Sequence, residues 1–462
     1  MADYSMRELE EWDDRIERVA REEGLDFYDQ EFEIVSCDDM MGYETYTGMP
    51  SHYPHWSYGK AYERLKTLNR YNMSGLPYEM VINSDPCIAY LMKDNTLLLQ
   101  ILTIAHVYGH NDFFKNNRLF KTGTRAEYTV EMFKNHADRI REYIADPGIG
   151  YQKVEKFLNS AHALKYQTVR VIGERRVSEE DKKRAMLKKM QGSAEEYPLL
   201  NPKLQSCEIP VDIKKIPLEP EEDVLLFVSI YGRLSEWERD ILDVVREETL
   251  YFIPQIETKI MNEGWASLWH YTILNRLKLP QALHMEFLKR HNQVICPYKG
   301  QVNPYYVGFK IFESLMKMYP DNPKKIFEVR EVERDESFLR RYLTYDLCRE
   351  MNLFEYINCD NAYFISQISD DEGWKKIRDT LAASSGMGGI PSIRVVEWVQ
   401  KDNTLVLEHQ YEGRELELNY AYETLKHLND LWEGRIMMTT FIDNKRKAII
   451  CDEQKRISLM NT

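Results

Sequence analysis

Apolar residues recur along this chain at two periods, and the switch between them outlines the fold. Leu9, Trp12, Ile16 and Val19 share one face of a helix predicted over 8–23, with Gly24 as its stop. The stretch 27-FYDQEFEIVS-36 part-alternates and predicts a strand, as does 79-EMVINSDP-86, which closes in a turn. Between them, 41–60 is rich in Tyr, His, Gly and Pro and predicts an ordered loop, with a helix over 60–71 after it. From Asn95 a helical run, 97-LLLQILTIAHVY-108, is apolar on most faces, which predicts burial inside a domain. Further helices are predicted over 124–144, 151–168, 236–276 (broken near Pro254), 281–291 and 304–318. Past 364 the period shortens: strands are predicted over 393–399, 404–410, 414–421, 435–443 and 446–453, around one helix over 421–432.

The pattern predicts an α+β protein. A predominantly helical main domain with a few strands is assembled from 1–173 and 223–364, and a small C-terminal α+β domain covers 365–462. Residues 174–222 break the pattern: a charge-dense run is followed by five prolines between Tyr197 and Glu221, which reads as an excursion or linker.

Charge and composition narrow the function classes. Against 61 Lys and Arg stand 75 Asp and Glu, a net charge of −14 over 462 residues, which argues against nucleic-acid binding and adhesion to anionic lipid. The start, MADYSMRELEEWDD, lacks the basic and apolar regions of a secretory signal, and no apolar run of about 18 residues predicts a spanning helix. The seven cysteines are dispersed without a CxxC, as reduced thiols of a cytoplasmic protein are. The Gly-rich 384-SSGMGGIP-391 lacks the GK[ST] of a phosphate loop.

The stretch 103-TIAHVYGHNDFFKNN-117 carries the chemistry. His106 and His110 are four apart, so one helix face presents two imidazoles to a single ion. A second apolar helix offers 262-NEGWASLWH-270, in which Glu263 supplies a third ligand and His270 either a fourth ligand or a hydrogen-bond donor behind the first three. His136 is a further nearby histidine. The set suits one divalent metal ion, zinc by preference. It departs from a zinc-peptidase helix at one position: Val107 stands where the general base would follow the first histidine. A hydrolase therefore needs another carboxylate, such as Glu79, Asp85 or Asp112. Cys87 would need a lowered pKa and a partner histidine to act as nucleophile. His52, His55 and Trp56 either cap a pocket or belong to an ordered loop, and 182-KKRAMLKK-189 reads as a solvated helix face.

Six segments in order, HWSYGKAY (55–62), EMVINSDPC (79–87), AHVYGHNDFFKNN (105–117), NHADRI (135–140), NEGWASLWHY (262–271) and NPYYVGFKIFE (303–313), resemble the stage V sporulation protein R (SpoVR-like) family over nearly the whole chain. The resemblance implies a role in forming the spore cortex. It also implies association with a serine-kinase-like protein and a von Willebrand-type domain protein in stress or developmental operons. The family pattern already lacks the peptidase glutamate, so Val107 is no peculiarity of this chain. Two readings follow: a cytoplasmic, non-catalytic regulatory or scaffold protein in which these residues form a structural metal site or a hydrogen-bonded core, and a metal-dependent hydrolase whose base lies elsewhere.

Overall fold

The computed structural model describes residues 4–71, 79–170, 172, 181, 221–297, 301–359 and 362–461, so nearly all of the expected excursion over 174–222, including the basic run, lies outside the described residues. The chain opens with α1 (Met6–Glu22), β1 (Gln30–Val35), α2 (Cys37–Thr45), α3 (Trp56–Arg70), β2 (Glu79–Ile82) and β3 (Cys87–Met92). Then come α4 (Leu97–Asn116), α5 (Arg118–Gly123), α6 (Thr129–Ala145), α7 (Tyr151–Leu164), α8 (Val224–Tyr231), α9 (Glu236–Glu257) and α10 (Lys259–Arg276). Next are α11 (Gln281–Val294), α12 (Pro304–Met318), α13 (Lys324–Val332), α14 (Asp335–Tyr342), α15 (Tyr345–Glu350), β4 (Glu355–Cys359), β5 (Ala362–Gln367) and α16 (Gly373–Ser384). The last stretch holds β6 (Ile393–Val399), β7 (Thr404–His409), α17 (Leu418–Trp432), β8 (Ile436–Ile442), β9 (Lys445–Cys451) and β10 (Ile457–Asn461). The α+β class follows from this order.

The chain forms two compact units, Met1–Glu155 with Glu248–Gly389, and Lys156–Glu247 with Ile390–Thr462. This division differs from the compositional one at both ends. The segment 365–389 joins the first unit because α16 packs on α14. The segment 223–247 joins the second because α8 packs on β6 and Glu221 bridges Val395.

In the first unit, α4 is the axis, buried from Leu98 through Phe114. It packs against α1, α10 and α11, and on β2 and β3 of a three-stranded sheet ordered β1-β3-β2. Strand β3 runs parallel to β1 and antiparallel to β2. Trp265, Phe312, Phe338, Phe287 and Ile101 are fully buried in the surrounding core.

In the second unit, the sheet order is β10-β9-β8-β7-β6. Its pairs are antiparallel except β7–β8, which α17 connects as a crossover. Trp432 of α17 stacks near Phe227 and Trp398.

Several elements depart from the sequence expectation for local reasons. The expected loop over 41–60 shrinks because Ser36 and Asp39 form a capping box that starts α2. At its other end, His55 accepts from the Ser57 N–H and starts α3. The tract 236–276 breaks at Thr258 and not at Pro254, which lies inside α9. The expected strand over 414–421 is instead the start of α17, because the Glu417 carboxylate accepts from the Asn419 and Tyr420 N–H groups.

Candidate metal centre

Three helices meet at backbone contact where the chemistry sits. Thr96 caps α4 by accepting from the Leu99 N–H. A Cβ placed on Gly109 would lie 2.7 Å from Ala266 Cα of α10, and one on Gly264 would lie 2.3 Å from the Gly308 backbone of α12. Only glycine allows α10 to approach both neighbours this closely. The start of α10 is fixed from afar: Asp335 of α14 accepts from the Ile260 and Met261 N–H groups at 2.8 and 2.9 Å. Burial pushes the Asp335 carboxyl up to about 8.

This approach brings His106, His110 and Glu263 together. His106 Nε2 lies 3.8 Å and His110 Nε2 3.5 Å from Glu263 Oε2. Glu79, the first residue of β2, places Oε1 3.9 Å from His106 Nε2. Ligand atoms of Glu79, His106 and His110 all lie within 4.8 Å of one another. These separations are too long for hydrogen bonds. They match ligands that share an ion: at zinc–ligand distances of ~2.1 Å, the edge of a tetrahedron is roughly 3.4 Å.

Two further observations fit a cation. His106 Nε2 and Glu263 Oε2 are buried without a hydrogen-bond partner, an unfavourable state for both unless something lies between them. His110 Nδ1 lies 2.9 Å from Asn262 Oδ1, so its proton goes to the asparagine and the Nε2 lone pair faces the cluster. Burial and the neighbouring His106 hold His110 down at about 4, which keeps it unprotonated and ligand-ready at neutral pH.

The two carboxylates are driven apart. Burial raises Glu263, but the pull of the neighbouring His106 and His110, with Lys259, outweighs it and brings it below its ordinary value. Burial raises Glu79, partly offset by the pull of His106, with a smaller upward push from the charge of Glu263. Both keep 18 % of their side-chain surface exposed, against 4 % and 9 % for the histidines.

His270 has neither ring nitrogen available to this cluster. Its Nδ1 lies 2.9 Å from His106 Nδ1 and its Nε2 2.8 Å from His291 Nδ1. With the His106 Nε2 lone pair facing the cluster, one proton order satisfies the row: His106 Nδ1–H donates to His270, and His270 Nε2–H donates to His291. His270 thus stands behind the ligand. His291 has no signal in the sequence, because it sits on an ordinary amphipathic helix.

The other sequence candidates lie elsewhere. His136 Nδ1 and His52 Nε2 flank the two oxygens of Glu248, at 3.2 and 3.1 Å, in a buried network of their own. Asp112 accepts from Trp265 Nε1 and the Asp26 N–H, with Arg330 Nε at 3.4 Å. Asp85 is exposed in the turn between β2 and β3. Cys87 donates to the Ile82 carbonyl, and burial pushes its thiol up, away from thiolate chemistry. Val107 is buried in the core. Of the three carboxylates considered as a base, Glu79 is the one at the cluster.

Comparison with known proteins completes the description. Residues 3–390 match the family described as SpoVR like protein, and 391–443 match the SpoVR-like C-terminal domain. The chain is 34 % identical to the uncharacterized protein YcgB of Escherichia coli (strain K12) over 469 residues, covering 92 % of this chain and 90 % of that protein. No solved structure matches. Among the described residues, no helix is long and apolar enough to cross a membrane. With both family regions matched in order and a relative aligned over nearly its whole length, the chain belongs to the SpoVR family.

Proposed function

We propose that this protein is a metal-dependent hydrolase with His106, His110 and Glu263 as ligands of one divalent ion and Glu79 as general base. One observation carries the reading. His106 Nε2 and Glu263 Oε2 are buried and unpaired at 3.8 Å, where His110 and Glu79 also converge. A zinc ion held there supplies Lewis acidity, polarising a substrate carbonyl and making a water easier to deprotonate. Glu79, 3.9 Å from His106 Nε2, is placed to take a proton from a water at the cluster and pass it to the leaving group. Glu263 stays anionic, and His110 and His106 present Nε2 lone pairs to the ion. The base thus comes from a strand and not from the residue after the first histidine.

The test is hydrolysis of p-nitrophenyl acetate by zinc-loaded protein. Glu79→Gln is expected to keep its metal and lose ~10²–10⁴-fold in rate. Glu263→Ala is expected to lose the metal itself. A Glu79→Gln variant as active as wild type would sink the assignment.

A second reading rests on the burial of the same four side chains. With Glu79 as fourth ligand, the centre is closed and structural, and the protein is a metal-holding regulator or scaffold in spore-cortex formation, working with a kinase-like partner. It predicts that Glu79→Gln releases the metal and that the loaded protein hydrolyses nothing.

A further inference from the structure

We propose that the substrate of this centre is an extended polypeptide, which pairs with the outer edge of β2. The inference rests on the hydrolase reading and names its substrate class. Strand β2 is an edge strand of the order β1-β3-β2, and it begins at Glu79, whose carboxylate faces the cluster.

The direction of its backbone groups follows from the pairing. The Cys87 N–H donates to the Asp29 carbonyl and the Lys93 N–H to the Val35 carbonyl, so odd-numbered residues of β3 face β1. Even-numbered Ile88 and Tyr90 therefore face β2, where they oppose Ile82 and Met80. Ile82 and Met80 spend their N–H and C=O groups on β3. Glu79 and Val81 turn theirs outward, and among the described residues nothing pairs with them. Both residues are partly exposed.

An open row of alternating donors and acceptors selects its ligand. Only a polypeptide in extended conformation offers the matching row at a strand spacing of ~4.8 Å. Sugar chains and simple esters do not. A strand bound there runs alongside Glu79 and brings its backbone carbonyls to the β2 side of the cluster, where Glu79 Oε1 lies 3.9 Å from His106 Nε2. The reaction is then amide hydrolysis. The oxygen of water bonds to the carbonyl carbon and the C–N bond breaks. One proton of the water travels through Glu79 to the leaving amine and the other stays on the new carboxyl group until it ionises, giving a new carboxyl terminus and a new amino terminus. No oxidant, reductant or second substrate is needed.

The experiment incubates zinc-loaded full-length protein with a pool of random octapeptides and reads cleavage by mass spectrometry, with p-nitrophenyl acetate hydrolysis and metal content measured on the same sample. The best-cleaved peptide is then resynthesised with a single N-methyl group at each position in turn. Strand pairing predicts loss of at least about 10-fold in kcat/KM at alternating positions and little change between them, because every second amide points at β2. Val81→Pro removes one outward N–H and leaves the ladder to β3 intact, as an edge strand tolerates. It is expected to raise KM for the peptide about 3- to 10-fold at unchanged metal content. A loaded protein that hydrolyses the ester and cleaves no peptide overturns the substrate class alone. An N-methyl profile without the two-residue period overturns the edge pairing. A protein that holds no metal overturns the hydrolase reading and this inference with it.

Discussion

Gly109→Ala tests whether the distance between two helices sets the metal site. The added Cβ would stand 2.7 Å from Ala266 Cα and 3.2 Å from Ala266 Cβ. Carbon atoms settle at about 3.5–4.0 Å, so α4 and α10 must part by roughly 1 Å. Backbone on the far side cannot swing away as a flexible side chain would. Overpacking of this kind costs about 1–3 kcal/mol, partly offset by the ~1 kcal/mol that alanine gains over glycine inside a helix. The net loss of stability is therefore small, about 0–2 kcal/mol. The effect on metal is larger, because His106 and His110 ride on α4 and Glu263 on α10. Ligand separations of 3.5 and 3.8 Å leave no slack for a 1 Å shift when functional constellations tolerate ~0.5 Å. Competition with a zinc-binding dye is expected to show at least a tenfold loss of affinity, while thermal unfolding moves by only a few degrees. Gly59→Ala is the control, since nothing lies within 4 Å of its Cβ position. Wild-type zinc affinity in Gly109→Ala would refute the claim that this crossing positions the ligands.

Three further outcomes are expected. His270→Phe should lower zinc affinity ~10–100-fold by freeing the orientation of His106, whereas His270→Gln, which can still accept on one side and donate on the other, should recover much of it. Asp112→Ala should destabilise the protein by about 3–5 kcal/mol in urea unfolding, because Arg330 is left as a buried charge without its partner and Trp265 Nε1 without its acceptor. In the metal-free protein His110 and His291 should each contribute stability that is lost as pH falls. For His291 this is read as the difference between wild type and His291→Phe, because the raised carboxyls of Asp335, Asp112 and Asp13 act in the opposite sense in both proteins. His110 and His291 titrate near 4 when folded and near 6.5 when unfolded, so the unfolded chain binds more protons between those values. Each contributes a slope of up to ~1.4 kcal/mol per pH unit in that window. A stability difference between wild type and His291→Phe that stays flat from pH 6.5 to 4 in urea unfolding would contradict the depressed pKa of His291.

The part of the site carried by helical spacing was legible in the chain. His106 and His110 are neighbours on any helix, and the apolar run around them announces burial. Glu263 was legible through the small residues beside it, since Gly264 and Ala266 mark a face where another helix comes close. His291 carries no such signal, and Glu79 stands in the sequence only as one of three candidate bases. Glu79 stands at the end of a short strand, and its approach to His106 depends on how β2 sits over α4, a contact between residues 27 apart that no local period encodes. His291 meets His270 only because α11 folds back on α10. The break at Thr258 has the same origin. Pro254 is the local breaker, yet the helix runs through it and restarts at Lys259, where Asp335, far along the chain, supplies acceptors for the exposed N–H groups. Strand β3 was obscured by Asp85 and Pro86, which read as the end of a strand when they form the turn between two.

The central claim is that a divalent ion sits between α4, α10 and β2. Elemental analysis of protein purified without a histidine tag, loaded with zinc and desalted, tests it most directly. The account predicts a single equivalent of zinc in wild type and none in His106→Ala or Glu263→Ala, with both variants folded by circular dichroism. Wild-type protein that retains no metal, or variants that retain as much as wild type, would contradict it.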